Sequence, residues 1–218
     1  MNILTREHLL DGSYLARLAL PADFSWSEED VNRSLAQALE GRPSDMIWVF
    51  AYGSLMWNPM LELADKSPAV LDGWHRSFSV RSISGRGTLE HPGRVLALEA
   101  GGQVQGVALR IRPEVVDTEM RLLWLREMAG GAYLPSWVPV VLASGDSVEA
   151  LAFVGNPAHP QHETDVSVET VTRLVAKAAG RFGSNADYVL ALHQALIELG
   201  LEDEYIKAIA GGLQSQSR

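Results

Sequence analysis

The chain has 218 residues, of which 47% are hydrophobic and 21% charged, and it carries a formal net charge of −9 with no cysteine. This composition is sufficient to bury a sizeable core. It excludes disulfides, thiolate metal ligands and a cysteine nucleophile, and the acidic excess argues against nucleic acid or an anionic membrane surface as a partner. No apolar stretch approaches the roughly 20 residues of a membrane span, so we expect a cytoplasmic protein.

The first 45 residues predict a helical arm. Residues 27–30 read Ser-Glu-Glu-Asp, which is typical of a capping box at a helix start. Apolar residues follow at helical spacing, namely Val31, Leu35 and Leu39. Residues 41–45 include Gly and Pro, and we expect them to end the arm.

The next part of the chain predicts strands. Residues 46–51 are apolar throughout, which favours a strand buried on both faces. Alternating apolar positions over residues 70–80 indicate a second strand. Residues 95–98 and 104–111 are predicted to form a hairpin that turns at residues 100–102.

The second half of the chain predicts one central helix, a hairpin and a helical end. Residues 113–128 have Pro near the first turn and two glycines just past the end, as helices prefer. Residues 137–142 and 148–154 flank a Ser-Gly-Asp turn and predict another hairpin. The pattern is mostly helical over residues 166–209.

Together these elements predict an α+β fold, in which a small closed or curled mixed β-barrel carries flanking helices. We expect three parts along the chain. They are the N-terminal helical arm (residues 1–45), one domain (residues 46–212) and a polar C-terminal tail (residues 213–218).

The strand of residues 46–51 stops abruptly in the turn Tyr52-Gly53-Ser54-Leu55. Small residues leave backbone N–H groups open there, Gly53 can adopt a positive φ, and Ser54 adds a hydroxyl. Donors fixed at a strand end suit a carboxylate or a developing oxyanion. Gly-Ser turns are also common structural features after strands, so the turn alone leaves both interpretations open.

Glu127 lies in the last turn of the helix predicted over residues 113–128. The negative end of the helix dipole disfavours an ionised carboxylate, which would raise the pKa of this side chain from about 4.3 toward neutrality. A carboxyl group with such a pKa suits proton transfer. The alternative from residue physics alone is an exposed glutamate paired with a neighbouring arginine.

The stretch from Trp74 to Arg94 is locally basic. It contains four arginines and only one acidic residue; the arginines are Arg76, Arg81, Arg86 and Arg94. One interpretation is a pair of solvated strands that carry arginines on their exposed face. The other is that one or two of these arginines bind the carboxylates of a small acidic substrate by bidentate pairing.

Several separated motifs give the chain a family resemblance. The first is Trp-Val-Phe-Ala-Tyr-Gly-Ser-Leu-Met-Trp-Asn-Pro at residues 48–59. The others follow in order at residues 73–78, 85–88, 91–94, 124–128, 133–135, 153–157 and 179–205. In these motifs the sequence resembles the ChaC family of γ-glutamylcyclotransferases.

The resemblance implies the γ-glutamylcyclotransferase fold and a cyclisation reaction. In this reaction the free α-amine of a γ-glutamyl group attacks its own γ-carbonyl, which closes the lactam 5-oxoproline and expels the amine. Glutathione fits the family as substrate and would give 5-oxoproline and cysteinylglycine. The implied partner is a small molecule, with no metal or organic cofactor and with a monomer or weak homo-oligomer as the expected state.

The resemblance also implies a site. Glu127 matches the position of the family's proton-transferring glutamate. A cradle for the γ-glutamyl group is assigned to the backbone amides of Ala51, Tyr52, Gly53, Ser54, Leu55 and Met56. Arg76 is the candidate for binding the far carboxylate, and Tyr133 is a candidate for lining the site. Ala51 departs from the family, because many members carry glycine at this position.

Other functions stay open beside this one. The substrate could be another γ-glutamyl amino acid or a γ-glutamylamine, or the chain could bind such compounds without catalysis. Ser54 as a hydrolase nucleophile is disfavoured, because the turn lacks the second glycine of a nucleophile elbow. A metal site at His159 and His162 is disfavoured too, because no third ligand is evident.

Overall fold

The computed structural model of the protein describes residues 5–42 and 46–216. The N-terminal arm contains α1 (Arg6–Leu10), α2 (Ser13–Leu18), a short 3₁₀ helix (Ala22–Phe24) and α3 (Glu28–Leu39). The predicted capping box is confirmed, because the Ser27 hydroxyl accepts a hydrogen bond from the Asp30 amide. Residues 43–45 of the predicted break lie outside the described residues.

Five strands form the centre of the molecule. They are β1 (Trp48–Ala51), β2 (Leu63–Ser82), β3 (Gly93–Ile111), β4 (Tyr133–Leu142) and β5 (Ser147–Gly155). In the order β1-β3-β2-β4-β5 they make a closed barrel, and parallel pairing of β1 with β5 closes it. The predicted α+β fold with a small closed mixed β-barrel is therefore confirmed.

The predicted hairpin within residues 95–111 is wrong. β3 runs through this region as one strand and stays paired with β2 along its length. Gly73 on β2 and Gly101 and Gly102 on β3 adopt positive φ at the level where the register shifts. These residues bulge both strands together, so the glycines that resemble a turn bend a continuous ladder and do not reverse it.

Helices flank the barrel. They are α4 (Val116–Glu127), which follows a 3₁₀ turn (Pro113–Val115), then α5 (Val168–Val175), α6 (Asn185–Glu198) and α7 (Glu204–Gln216). Between α5 and α6 lies a two-stranded sheet, β6 (Ala179–Gly180) with β7 (Gly183–Ser184), where the sequence pattern predicts helix. Within the described ranges, no helix is both long and apolar enough to cross a membrane.

The predicted polar tail at residues 213–218 needs correction. α7 continues to Gln216, and Leu213 is buried in the hydrophobic core. Residues 213–216 therefore belong to the last helix, since an apolar contact holds it against the body of the protein. Residues 217–218 lie outside the described part of the chain.

Strand β1 separates two hydrophobic clusters. Trp48 and Phe50 pack in the cluster that includes α5, α6 and α7, whereas Val49 and Ala51 pack in the cluster that includes α4 and the arm. All four side chains are buried, as the continuous apolar run predicts. Burial on both faces fixes the end of β1, and with it the position of the turn that begins at Tyr52.

A buried ion pair attaches the arm to α4. Arg6 Nη1 donates to Glu119 Oε2 at 2.6 Å, and Arg6 Nη2 donates to the second carboxylate oxygen. The Glu62 amide also donates to Glu119 Oε2, at 3.0 Å. The Glu119 side chain is fully buried, so Arg6 and the Glu62 amide replace the water that this carboxylate loses on folding.

We expect Arg6→Ala to lower the free energy of unfolding by about 2–3 kcal/mol, because it leaves the Glu119 carboxylate buried without its cation. The 28% exposure of Arg6 places the loss below that of a fully buried pair. The midpoint of urea unfolding measures it. Arg33→Ala in the same arm is the control, since its ion pairs with Glu29 and Asp30 are exposed and should contribute under about 0.5 kcal/mol. Equal losses in the two variants would contradict this view of the arm.

Candidate active site

A cavity of about 940 Å³ opens beside the end of β1. Its wall is built from the turn after β1, the C-terminal end of α4, the first residue of β4, the start of α6 and part of the N-terminal arm. The sequence-predicted residues on this wall are Tyr52, Gly53, Ser54, Leu55, Glu127 and Tyr133. Residues far apart in the sequence therefore meet in one concave space large enough for a small peptide.

Glu127 is the last residue of α4 and lies against its neighbour Arg126. Arg126 Nε is 3.0 Å from Glu127 Oε1, and Arg126 Nη2 donates to the Ser54 hydroxyl at 2.7 Å. Arg126 Nη1 also donates to the Asn58 carbonyl at 2.7 Å. One guanidinium thus connects the Glu127 carboxylate to the turn that follows β1.

Burial raises the pKa of Glu127 above its ordinary value, and the positive charge and hydrogen bond of Arg126 oppose that rise. The direction agrees with the expectation from the sequence. The cause differs, because loss of water dominates over the helix end. Glu127 is therefore a carboxyl group that accepts a proton more readily than an exposed glutamate does, while Arg126 favours its ionised form.

The turn after β1 contributes fewer cradle residues than the sequence predicts. Ala51 is fully buried in the barrel wall, and the Met56 amide already donates to the Gly53 carbonyl at 2.9 Å, so neither faces the cavity. Ser54 and Leu55 begin a 3₁₀ turn, and within the described ranges their amides have no acceptor. Gly53 has a φ of −132°, so the turn does not use the left-handed conformation.

Tyrosine side chains form much of the cavity wall around Glu127. The Tyr133 hydroxyl donates to the Leu96 carbonyl at 2.9 Å, and the Tyr52 hydroxyl donates to the Phe153 carbonyl. Burial raises the pKa of both hydroxyls, and the charge of Glu127 adds to the rise. Both therefore stay neutral and fixed by carbonyl groups, so they shape the pocket around the carboxyl group.

Arg76 does not line this cavity. Its guanidinium is buried, Nη1 pairs with Asp203 at 3.0 Å, and Nε donates to the Tyr52 carbonyl at 2.6 Å. Burial lowers the pKa of Arg76, and the Asp203 carboxylate opposes this. The prediction that Arg76 binds a substrate carboxylate is therefore corrected. Its donors instead bind Asp203 and the backbone of the turn after β1.

The arm contributes side chains that sequence reasoning left without a role. Tyr14 lines the cavity and donates through its hydroxyl to the Arg126 carbonyl at 3.2 Å. The Trp26 amide donates to the Ala129 carbonyl at 2.9 Å. The Trp26 ring lies against Gly131, where an added Cβ would approach the indole nitrogen to 2.2 Å at a φ of +65°. The arm therefore packs on the chain immediately before and after Glu127.

Two further residues lie at the site although the sequence predicts no role for them. Tyr188 on α6 lines the cavity, and an added Cβ on Gly53 would lie 3.4 Å from its hydroxyl oxygen. Arg126 lies within the motif at residues 124–128, and no role is predicted for it there. Its position next to Glu127 is the one signal in the sequence, whereas its contact with Ser54 depends on the folded chain.

Comparisons with known proteins agree with this architecture. The family model described as ChaC-like protein matches residues 47–215. A glutathione-specific γ-glutamylcyclotransferase of Escherichia coli K12 is 42% identical, over 93% of this chain and 88% of that protein. The human glutathione-specific γ-glutamylcyclotransferase 1 is 30% identical, over 75% of this chain and 76% of that protein.

A solved structure supports the fold independently. The crystal structure of a γ-glutamyl cyclotransferase specific to glutathione from yeast matches with a TM-score of 0.72 and 22% identity, over 78% of this chain and 96% of that one. This likeness supports the fold of the barrel and its flanking helices. Since the family model also covers most of the sequence and the E. coli protein aligns over most of both chains, this chain belongs to the ChaC family.

Proposed function

We propose that this protein is a γ-glutamylcyclotransferase that cleaves glutathione into 5-oxoproline and cysteinylglycine. The observation that carries the proposal is the placement of the Glu127 carboxyl group and the open turn at Ser54 in one cavity, joined by Arg126. The printed names of the E. coli and human relatives support glutathione as the substrate.

The proposed reaction is a displacement within one substrate molecule. The α-amino nitrogen of the γ-glutamyl group forms a bond to its own γ-carbonyl carbon, and the bond from that carbon to the cysteine nitrogen breaks. The ammonium group must first lose a proton, and the departing nitrogen must gain one. No water is consumed, so the protein needs to fold the substrate for attack and move a proton.

Glu127 serves as the proton carrier in this proposal. As a carboxylate it accepts the ammonium proton, and as the neutral acid it returns the proton to the departing nitrogen. Its surroundings suit both roles, because burial favours the neutral acid whereas Arg126 favours the carboxylate. Because these two influences oppose each other, the same group can accept the proton and return it during one turnover.

The turn after β1 holds the reacting carbonyl in this proposal. Ser54 and Leu55 line the cavity next to a strand end that is buried on both faces, and we assign their amides as the donors. Donors held in this way stabilise the negative charge that develops on the carbonyl oxygen during attack. The neutral hydroxyls of Tyr52 and Tyr133 shape the walls around the folded γ-glutamyl group.

A small-molecule substrate is sufficient for the reaction, so we expect neither nucleic acid nor a membrane as partner and a monomer or weak homo-oligomer as the working state. We place the reaction in the cytoplasm, and a chain without cysteine is compatible with its reducing conditions.

We expect Glu127→Gln to reduce the release of 5-oxoproline from glutathione by about 100-fold or more, because the amide keeps the shape but cannot carry the proton. Chromatographic quantification of 5-oxoproline measures the rate. Glu114→Gln is the matched control, since it makes the same chemical change at an exposed position before α4 and should retain full activity.

The same assay with γ-glutamyl-alanine tests the substrate. Release from glutathione alone supports the proposed specificity. Comparable release from the dipeptide would replace it with a broader γ-glutamylcyclotransferase. If neither compound releases 5-oxoproline, the proposed enzymatic activity is contradicted and a binding protein is favoured.

The pH profile of kcat/KM is expected to have an acid limb set by Glu127. The limb should lie above the usual pKa of a glutamate, about 4.3, because activity is lost as the pH falls through the raised pKa of the proton-accepting carboxylate. Arg126→Gln removes the cation that opposes this rise, so the limb should move to higher pH. A limb that stays in place or moves to lower pH would contradict the assigned coupling.

A further inference from the structure

The cationic side chains that line the cavity are not equivalent. Four arginines line it within the described ranges, and three of them have carboxylate partners. The pairs are Arg6 with Glu119, Arg81 with Glu163 and Arg126 with Glu127. Arg86 is the fourth, and it forms no ion pair with any described residue.

Most of the guanidinium N–H donors of Arg86 are available to a ligand in the cavity. Its Nη1 donates to the Ser184 carbonyl at 3.1 Å, and its Cζ lies 5.6 Å from the centre of the Tyr188 ring. A guanidinium has five N–H donors, so one carbonyl leaves most of them for a ligand. Burial lowers the pKa of Arg86, while the nearby Tyr188 and Asp187 side chains oppose this. The group has therefore lost part of its water without gaining a paired anion.

The backbone that carries Arg86 is tightly held. The Phe182 amide donates to the Gly85 carbonyl at 2.9 Å. An added Cβ would lie 2.2 Å from the Gly93 amide nitrogen at Gly87, and 2.2 Å from the Ser84 carbonyl oxygen at Gly180. Glycine at position 180 allows the β6–β7 hairpin to pack directly on the turn, and glycine at position 87 allows the turn to pack on the start of β3. The backbone at Arg86 is therefore held in place before any ligand arrives.

We infer that Arg86 binds the glycine carboxylate of glutathione. The inference rests on the proposed function and names the group that holds the far end of its substrate. In that function the γ-glutamyl end lies between Glu127 and the turn after β1. Arg86 lines the same cavity from another segment of the chain, the turn between β2 and β3.

The chemistry of the two groups is complementary. A planar guanidinium pairs with a carboxylate through two parallel hydrogen bonds, and partial exclusion of water strengthens the pair. The glycine carboxylate lies at the opposite end of the tripeptide from the reacting amine. Arg86 therefore adds binding free energy without touching the reacting atoms, which is expected to lower KM and to leave kcat nearly unchanged.

The test compares glutathione with its glycine ethyl ester, in which an uncharged ethyl ester group replaces the negative carboxylate at the far end. For the wild-type protein, kcat/KM for 5-oxoproline release should be about 10- to 100-fold lower with the ester. Arg86→Gln should lower kcat/KM for glutathione by the same factor, mostly through KM, and change the value for the ester by less than about 3-fold. Arg86→Lys keeps the charge without the planar pair and should fall between.

The ratio of the two kcat/KM values is the decisive quantity. Both substrates are measured on one preparation, so a variant that folds incompletely loses both activities alike and the ratio is unaffected. Arg81→Gln is the matched control, because Arg81 lines the same cavity but is paired with Glu163. Any effect of Arg81→Gln should be equal for the two substrates.

The outcomes separate this inference from the proposed function. An equal loss for both substrates in Arg86→Gln would overturn the inference and leave the proposed function standing, as would the absence of any loss for glutathione. Failure of the wild-type protein to release 5-oxoproline from either substrate would overturn the proposed function and the inference with it.

Discussion

The site depends on the guanidinium of Arg126. It contacts the Glu127 carboxylate, the Ser54 hydroxyl and the carbonyls of Asn58 and Pro59, so the end of α4 and the turn after β1 share one partner. Apolar packing is not directional, so without this connection it would hold the two segments less precisely. The same charge counteracts the effect of burial on Glu127. Geometry and proton affinity are therefore set by one side chain.

Helix α4 can serve as a fixed platform because it is packed on two sides. The barrel covers one side, and the N-terminal arm covers the other through the Arg6–Glu119 ion pair and the Trp26 contacts with residues 129–131. The family model begins at residue 47, so the arm lies outside it. The arm nevertheless supplies Tyr14 to the cavity wall, and its structural and functional contributions meet at the end of α4.

The sequence predicts local features better than long-range partners. The burial of β1 on both faces and the end of α4 at Glu127 follow from unbroken hydrophobicity and from a glycine pair after a helix. The bend at Gly101 could not be distinguished from a hairpin turn, because both need positive φ and only pairing with β2 decides between them. The contact of Arg126 with Ser54 spans 72 positions, and no local pattern reveals it.

Arg76 and Arg86 show why a choice among basic residues needs the folded chain. They occur ten positions apart in one basic stretch, yet Arg76 pairs with Asp203, which immediately precedes α7. Among the described residues, Arg86 instead contacts a carbonyl and an aromatic ring. A buried cation with a carboxylate partner is satisfied by the fold itself. A cation that loses water in a cavity without such a partner weakens the free protein slightly. An anionic ligand that enters the cavity restores the missing interaction, so the unpaired arginine is the one suited to bind it.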